Sequence, residues 1–234
     1  MRDWKEILKF IENNSSFIVL SHEEPDGDAV GSSIALASLL SRLGKSAALC
    51  SPGPFARREI AEYRDLFLDE VPPDLLRDDA AFFILDASGP ERIGVFAPLL
   101  RDRPVAVIDH HAEGIPFGAL RVVDDQAPST SFLIQELFDA LGIPPSPEEA
   151  QMLLFGLCAD TGFFRHPERN SEAVLRAASR LASYGVSLKE IYRMTHPGVP
   201  VESRVLLGRA LASTESLFSG QILFARETLE DHPP

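Results

Sequence analysis

Short apolar runs alternate with helical segments along this chain, and this alternation constrains the fold more than any other feature. Apolar runs at 17–20, 81–85 and 105–108 have the length and composition of buried strands. The clearest helical pattern extends from about 28 to 43 and ends at Gly44. Alternating strands and helices predict an α/β fold, in which helices flank a mostly parallel central sheet.

The remaining segments extend this pattern and suggest how the chain is divided. Further helices are predicted at 3–14, 90–101, 129–141, 147–160, 171–184, 187–194 and 201–212, with part of 57–79 also helical. Further strands are predicted at 47–50, 120–123 and 221–225. The pattern changes after Pro197. We therefore expect a catalytic domain at 1–186, followed at 187–234 by linker helices and the beginning of an incomplete substrate-binding domain.

Composition excludes several classes of function. The net charge of −13 disfavours a protein that coats nucleic acid electrostatically. The two cysteines form no CxxC pair for zinc and no disulfide scaffold, as is usual in a reducing compartment. No apolar run reaches the roughly 18 residues of a membrane helix, and the N-terminus lacks the apolar centre of a signal peptide. We expect a cytoplasmic protein that does not contact a membrane.

Acidic and imidazole side chains follow each of the three apolar runs. They are His22, Asp26 and Asp28 after the first run, Asp86 after the second, and Asp109, His110 and His111 after the third. A further acid, Asp160, lies near the end of a predicted helix. The carboxyl ends of parallel strands meet at one edge of a sheet, so these side chains are expected to converge on one cleft.

Clustered carboxylates predict a metal site. Four aspartates in one cleft would be forced to take up protons unless cations compensated their charge. Carboxylate and imidazole ligands suit Mn²⁺, and Mg²⁺, Co²⁺ or Zn²⁺ would also fit. Two divalent ions about 3.5–4 Å apart are the usual device for phosphoester hydrolysis. Each residue also has a simpler interpretation, and Asp28 could merely cap the helix that follows it. The sequence contains no P-loop and no GxSxG motif.

Four segments together resemble the signature motifs of the DHH phosphoesterase superfamily. They are SHEEPDGDAVGS, FFILDAS, VAVIDHH and LCADTGFF, which occur in this order within residues 21–164. Within the superfamily the chain most resembles the short oligoribonucleases that also dephosphorylate 3′-phosphoadenosine 5′-phosphate. The resemblance implies a metal-dependent phosphoesterase with two ions, preferably Mn²⁺, and short RNA or a phosphonucleotide as its substrate.

The resemblance also implies roles for individual residues. One metal would be held by His22, Asp26 and Asp86, and the other by Asp28, Asp86, His110 and Asp160, with Asp86 bridging the two. His111 would contact the scissile phosphate as a hydrogen-bond donor or acid, and Asp109 would orient a histidine.

Three substrate contacts are predicted beside these roles. Gly31 and Ser32, at the start of a helix, could offer backbone N–H groups to a phosphate oxygen. Arg165 is a candidate substrate contact, although it could equally be a surface arginine that follows two core phenylalanines. His166 and His196 are interpreted as unrelated surface histidines.

One departure from the family pattern leaves the substrate open. Relatives of this kind carry a C-terminal domain with a GGGH-like motif, which is absent here. We therefore expect either a truncated form of a longer protein or an isolated catalytic domain. The motifs do not separate the oligoribonucleases from cyclic dinucleotide phosphodiesterases, exopolyphosphatases or pyrophosphatases. A catalytically silent metal-binding module is the alternative from a different class, and a homodimer is compatible with the sequence.

Overall fold

Five parallel strands form the central sheet of the computed structural model, which describes residues 2–76, 80–87, 89–111, 114–166 and 170–226. The strands are β1 (Ser16–Leu20), β2 (Ser46–Cys50), β3 (Ala80–Leu85), β4 (Val105–Asp109) and β5 (Leu120–Val123), in the spatial order β2-β1-β3-β4-β5. Every neighbouring pair is parallel. All five strands therefore place their carboxyl ends at the same edge, and the predicted α/β architecture is confirmed.

Helices accompany this sheet along the chain. They are α1 (Lys5–Asn13), α2 (Gly27–Arg42), α3 (Thr130–Leu141), α4 (Pro147–Asp160), α5 (Ser171–Ala182) and α6 (Leu188–Thr195). Two predicted helical regions are shorter 3₁₀ segments, at Ala61–Leu66 and Pro90–Leu100. In the second, Gly94 has a φ of 50° and Pro98 lacks an N–H donor, so a continuous α-helix cannot form there. The predicted segment 57–79 extends into residues 77–79, which lie outside the described residues.

Alternate side chains of the strands pack on opposite faces of the sheet. Phe17 and Phe83 belong to the larger core cluster, whereas Ile18 and Phe82 belong to a second one. Every residue of β3 is buried, as expected for a central strand covered on both faces. Burial of each large apolar side chain contributes about 1.5–3 kcal/mol. This double layer holds the strand ends rigidly in place.

Two glycines allow α2 to approach α4 closely. A Cβ added to Gly27 would lie 2.5 Å from Cβ of Ala159, and one added to Gly31 would lie 2.5 Å from the carbonyl oxygen of Met152. Any larger side chain at these positions would force the two helices apart. Because α2 begins with the acidic loop and α4 ends at Asp160, this contact brings distant acidic residues together.

Residues 1–196 and 197–234 form two separate units, the second of which is small. Its elements are α7 (Val201–Ala212) and an antiparallel pair of short strands, β6 (Glu215–Leu217) and β7 (Ile222–Phe224). The predictions of a helix at 201–212 and a strand near 221–225 are confirmed, whereas β6 was not predicted. None of the residues in these three elements is buried. The predicted domain boundary at 186/187 remains a prediction.

No helix within the described part of the chain has both the length and the apolar character needed to cross a bilayer.

Candidate metal centre

The carboxyl edge of the sheet carries a cluster of acidic and imidazole side chains. Three overlapping groups each place their potential ligand atoms within 4.8 Å of one another. The groups are His22–Asp26–Asp86, Asp28–His110–Asp160 and Asp86–His110–His111. Seven of the eight side chains that the sequence analysis expected to converge belong to these groups, and the eighth, Asp109, contacts His111. The convergence follows from the parallel sheet together with the close contact between α2 and α4.

Asp86 lies at the centre of this cluster. Its Oδ2 is 3.5 Å from Nε2 of His22, and its Oδ1 is 3.5 Å from Nε2 of His110. The residue directly follows β3 and has a φ of 58°, a left-handed conformation that aspartate tolerates better than most residues. Thr130 donates a hydrogen bond of 3.0 Å from its hydroxyl to Oδ1. Each carboxylate oxygen of Asp86 therefore faces a different histidine.

Asp28 is tied to the start of α3. Its two carboxylate oxygens accept hydrogen bonds from the backbone N–H groups of Thr130, at 2.6 Å, and Ser131, at 2.9 Å. The interpretation of Asp28 as the cap of its own helix is therefore wrong. Asp26 is the cap, because its Oδ1 accepts hydrogen bonds from the N–H groups of Asp28 and Ala29. This leaves Oδ2 of Asp26 available to the cluster.

His110 faces three carboxylates at once. Its Nε2 lies 3.5 Å from both Asp86 and Asp160, and 4.0 Å from Asp28. This nitrogen is buried and has no hydrogen-bond partner among the described residues. A buried nitrogen without a partner is costly, and a divalent cation between it and the carboxylates would remove that cost. The set of donors, imidazole nitrogen and carboxylate oxygen without thiolate, also fits Mn²⁺ and similar ions.

The shifted pKa values show that several negative charges lie close together in the cluster. Burial raises the pKa of Asp28 well above its usual value, and the charges of Asp86 and Asp160 add to that rise. Burial also raises the pKa of Asp160, to about 6. Burial would lower the pKa of His110, but the close contact with the Asp86 carboxylate and the charges of Asp28 and Asp160 raise it to about 10. Without a cation, the cluster therefore holds protons.

Asp86 is the exception among these acids. Burial alone would raise its pKa, but the close contacts with His110 and His22 hold it well below the usual range. His22 is oriented by a 2.6 Å hydrogen bond between its Nδ1 and the carbonyl oxygen of Glu23. Because a carbonyl only accepts, Nδ1 carries the proton and Nε2 is directed at Asp86.

Asp109 and His111 form a separate pair at the edge of the cluster. Oδ1 of Asp109 lies 2.9 Å from Nδ1 of His111 and also accepts a 3.1 Å hydrogen bond from the His111 backbone N–H. The His111 side chain is 48% exposed, whereas Asp109 is buried. The histidine that Asp109 contacts is thus His111. Asp109 binds the Nδ1 side of this ring, and the side chain remains about half exposed to solvent.

The predicted substrate contacts differ in their position. Gly31 and Ser32 lie inside α2 rather than at its first turn, where N–H groups lack helical acceptors. Both are buried, and Gly31 packs against α4. Their position therefore does not support a contact with phosphate. Arg165 is exposed and lines a cavity that also includes Asp26.

Several polar residues near the cluster were not predicted. Thr130 and Ser131 hold Asp28, but their sequence signal indicates only the start of a helix. Nη2 of Arg92 lies 3.4 Å from Nδ1 of His22, and the Arg92 carbonyl accepts a 2.7 Å hydrogen bond from the N–H of Glu23. Arg57 has its Nη1 3.8 Å from Oδ2 of Asp26. No local pattern links these residues to the acids, because each comes from a distant segment.

The chain also matches a known protein family by sequence. The sequence model described as the DHH family, N-terminal domain, matches residues 16–157. This span includes His22, Asp86 and the Asp109-His110-His111 segment. The chain belongs to the DHH family.

The relatives narrow the comparison further. The chain is 35% identical over 228 residues to the bifunctional oligoribonuclease and PAP phosphatase NrnA of Thermus thermophilus, and 28% identical over 199 residues to the protein of that name from Bacillus subtilis. The alignments cover 96% and 82% of this chain. They cover 66% and 60% of those proteins, so the chain spans less than two thirds of each relative's length.

A solved structure supports the architecture. An exopolyphosphatase-related protein from Bacteroides fragilis superposes with a TM-score of 0.81 at 25% sequence identity. The superposition covers 90% of this chain and 65% of that protein. The shared fold therefore extends well beyond the span of the family match.

Proposed function

We propose that this chain is a two-metal phosphoesterase that prefers Mn²⁺ and hydrolyses phosphoester bonds of short oligoribonucleotides and of 3′-phosphoadenosine 5′-phosphate. The observation that carries the proposal is the position of Asp86, whose two oxygens each lie 3.5 Å from a different histidine. A carboxylate in this arrangement can bridge two cations. When bound, such a pair would make hydroxide available near neutral pH and neutralise phosphoryl charge.

The proposed ligand sets follow the groups within the cluster. His22, Asp26 and Asp86 would hold one ion, and Asp28, Asp86, His110 and Asp160 would hold the other. Each set contains carboxylate oxygens and one imidazole nitrogen, which is the chemistry that Mn²⁺ accepts readily. The proposal is supported by the unpartnered Nε2 of His110 and by the raised pKa of Asp160. The nitrogen is a buried polar atom that lacks a partner, and the raised pKa belongs to a carboxylate whose negative charge is not fully compensated.

His111 would hold a proton at the reacting phosphate. Its pKa is raised chiefly by the hydrogen bond to Asp109, so the imidazolium form is favoured. Asp109 would act as a positioning residue, because it fixes the Nδ1 side of the ring and leaves Nε2 for a phosphoryl oxygen or leaving group. This pair would supply one hydrogen bond that strengthens as charge develops on the substrate.

Nucleotide substrates are favoured by the relatives. Both curated relatives described above are bifunctional oligoribonucleases and PAP phosphatases. Inorganic polyphosphate is the second candidate, since the superposed structure from Bacteroides fragilis is exopolyphosphatase-related. We also propose that residues 1–186 form the catalytic domain, since they contain every side chain of the cluster. In this proposal, residues 187–234 contain linker helices and the start of a substrate-binding domain, and the reaction occurs in the cytoplasm.

A substrate panel tests this function. Short oligoribonucleotides, 3′-phosphoadenosine 5′-phosphate, cyclic di-AMP, polyphosphate and pyrophosphate are each incubated with the chain and Mn²⁺, and the products are separated by chromatography. We expect turnover of the first two. Turnover of polyphosphate alone would favour the second candidate. No turnover of any compound, with two Mn²⁺ bound per chain, would indicate a silent metal-binding module.

A further inference from the structure

A small cavity opens next to Asp26, beside the proposed metal centre. It has a volume of about 190 Å³, and its lining includes Arg57 from the loop after β2 and Arg165 from the turn after α4. Pockets that enclose a whole small molecule usually measure about 300–1,000 Å³. This cavity is therefore large enough for one group of a substrate rather than for a complete nucleotide.

Two arginines in the lining of this cavity can bind an anion. Arg57 is half exposed and makes only a loose contact, with Nη1 3.8 Å from Oδ2 of Asp26. The guanidinium of Arg165 makes no hydrogen bond or ion pair with any residue that the structure describes. Asp26 and Glu59 are the acidic residues of the lining, and one oxygen of Asp26 is already bonded to the start of α2. Planar guanidinium groups bind phosphate with paired hydrogen bonds, so two of them at one cavity favour a phosphate group.

The turn that carries Arg165 is held in an unusual conformation. Gly162, Phe163 and Phe164 have φ values of 56°, 53° and 67°, and the left-handed region is unfavourable for the two phenylalanines. Such residues cost about 1–3 kcal/mol each and are frequent at functional sites. Hydrogen bonds of 2.7 Å from the Phe163 N–H to the Cys158 carbonyl and 3.3 Å from the Phe164 N–H to the Thr161 hydroxyl stabilise the turn.

Aromatic contacts hold Phe163 and His196, two further residues of the cavity lining. The ring of His196 stacks on Tyr192 at 4.2 Å with an angle of 11° between the rings. Phe163 packs edge-on against both rings, at 5.2 Å from Tyr192 and 5.9 Å from His196. His166 lies over Gly162, so close that a Cβ on the glycine would lie 2.5 Å from its Cδ2. The two histidines interpreted from sequence as unrelated therefore line the same cavity.

We propose that this cavity binds a second phosphate of the substrate, next to the phosphate that is hydrolysed, and that Arg57 and Arg165 are its ligands. The proposal rests on the proposed function, because it assigns the neighbouring position of the same substrate. Asp26 connects the two sites, since it belongs both to the metal-ligand groups and to the cavity lining. In 3′-phosphoadenosine 5′-phosphate (adenosine 3′,5′-bisphosphate), which is already proposed as a substrate, this cavity would take the phosphate that is not hydrolysed. Nucleotides with a single phosphate should therefore be poorer substrates.

A binding measurement tests the cavity independently of catalysis. The full chain is titrated calorimetrically with adenosine 5′-monophosphate and with adenosine, in the presence of EDTA, so that phosphate cannot bind to metal. We expect the monophosphate to bind at least tenfold more tightly than adenosine. In Arg57→Gln and Arg165→Gln the two affinities should differ by less than threefold. Arg176→Gln, which removes a surface arginine of α5 that pairs with Glu172, is the matched control and should keep the preference.

A kinetic measurement then separates the two proposals. With Mn²⁺, the ratio of kcat/KM for adenosine 3′,5′-bisphosphate to that for adenosine 3′-monophosphate should fall about tenfold in each arginine variant, and not in Arg176→Gln. If the wild-type chain hydrolyses neither compound, the proposed function fails while the calorimetry still decides the cavity. Equal wild-type affinities for adenosine and its 5′-monophosphate would overturn the cavity proposal. A preference that both arginine variants retain would overturn it as well.

Discussion

The two sides of the acidic cluster are held in different ways. On the inner side, Asp28 and Asp86 are buried and accept hydrogen bonds from the backbone and hydroxyl of Thr130 and from the backbone of Ser131. On the outer side, the Asp160 side chain is 27% exposed, and its carboxylate contacts only His110 among the described residues. The fold therefore supplies donors to the inner carboxylates and leaves the outer one to be compensated by something else.

This difference indicates where a cation contributes most. The two backbone donors offset part of the cost of burying the charge of Asp28, but burial and the charges of Asp86 and Asp160 still raise its pKa well above the usual value. Asp160 has no such donors among the described residues and is balanced by the nearby charge of His110. The inner side thus fixes the position of its carboxylates, including the proposed bridging residue Asp86. The outer side leaves Asp160 to be balanced by a cation. The variants below test this division, in order of decreasing expected effect.

Removal of the central carboxylate should have the largest effect. Asp86→Ala deletes the group that both histidines face, so neither proposed ligand set remains complete. We expect turnover to fall at least ~1,000-fold, equivalent to ~4 kcal/mol of transition-state stabilisation, together with loss of bound Mn²⁺ measured by elemental analysis. Asp74→Ala, at an exposed aspartate outside the cluster, is the control. Full activity of Asp86→Ala with added Mn²⁺ would contradict the bridging role.

Removal of metal should destabilise the protein by a smaller amount. Without a cation, the buried carboxylates and His110 must share protons, whereas a ligand at 100 times its Kd stabilises the folded state by ~2.7 kcal/mol. We expect excess Mn²⁺ to raise Tm by ~5–10 °C relative to EDTA, because each kcal/mol shifts Tm by ~2–4 °C in chains of this size. The increase should disappear in Asp86→Ala. An equal increase in that variant would locate the stabilising ion elsewhere.

Loss of the contact between Asp109 and His111 should change the pH dependence of turnover. The hydrogen bond to Asp109 is the main cause of the raised pKa of His111, so Asp109→Asn removes the charge that favours imidazolium. The pKa of His111 then falls, and the alkaline limb of the pH–rate profile should move to lower pH. We expect a 10–100-fold loss in kcat, the usual scale for residues that orient reactive histidines. In a His111→Ala background the same substitution should cost little more. An additive loss would show that Asp109 acts independently of His111.

The smallest effect is expected from loss of the Thr130 hydroxyl, which donates a hydrogen bond to Asp86. Thr130→Val keeps the volume of the side chain but removes the hydroxyl that donates to Asp86. We expect kcat to fall about fivefold, equivalent to ~1 kcal/mol, which is the usual net contribution of a single hydrogen bond. Thr130→Ser should retain most of the activity, because it keeps the hydroxyl. A loss of kcat in Thr130→Val as large as that in Asp109→Asn would mean that Thr130 does more than hold Asp86 in position.

Sequence patterns predicted the convergence of these side chains because most of the proposed ligands are placed at strand ends. His22, Asp86 and His110 each follow a buried apolar run, and parallel strands necessarily end at one edge. Asp160 lies at the end of a helix rather than of a strand, and its ligand role was implied by the resemblance to the DHH superfamily. The contact between α2 and α4 that brings it to the cluster is seen only in the structure. The alternative interpretation of Asp28 as a helix cap was wrong, because Asp26 is the cap. The two aspartates differ only in their backbone position, which the spacing does not specify.

The partners of these ligands were not predictable in the same way. Thr130 holds two acids from segments that precede it by 102 and 44 residues. Arg57 and Arg165 meet at one cavity although they come from different loops. Gly31 and Ser32 were expected at a phosphate because backbone N–H groups are available at a helix start. In the structure Gly31 lies against α4, where only a small residue fits, and the Ser32 hydroxyl donates to the carbonyl oxygens of Asp28 and Ala29.

By itself, the sequence determined which residue types stand at the ends of which elements, since hydrophobic periodicity and local turn chemistry depend only on neighbouring residues. It thereby specified the parallel sheet and the candidate ligands. Tertiary structure decided which carboxylate oxygens are already bonded, which nitrogen is left without a partner, and which arginines share a cavity. Those outcomes depend on distances between segments far apart in the chain, and such distances are set by how the helices pack against the sheet.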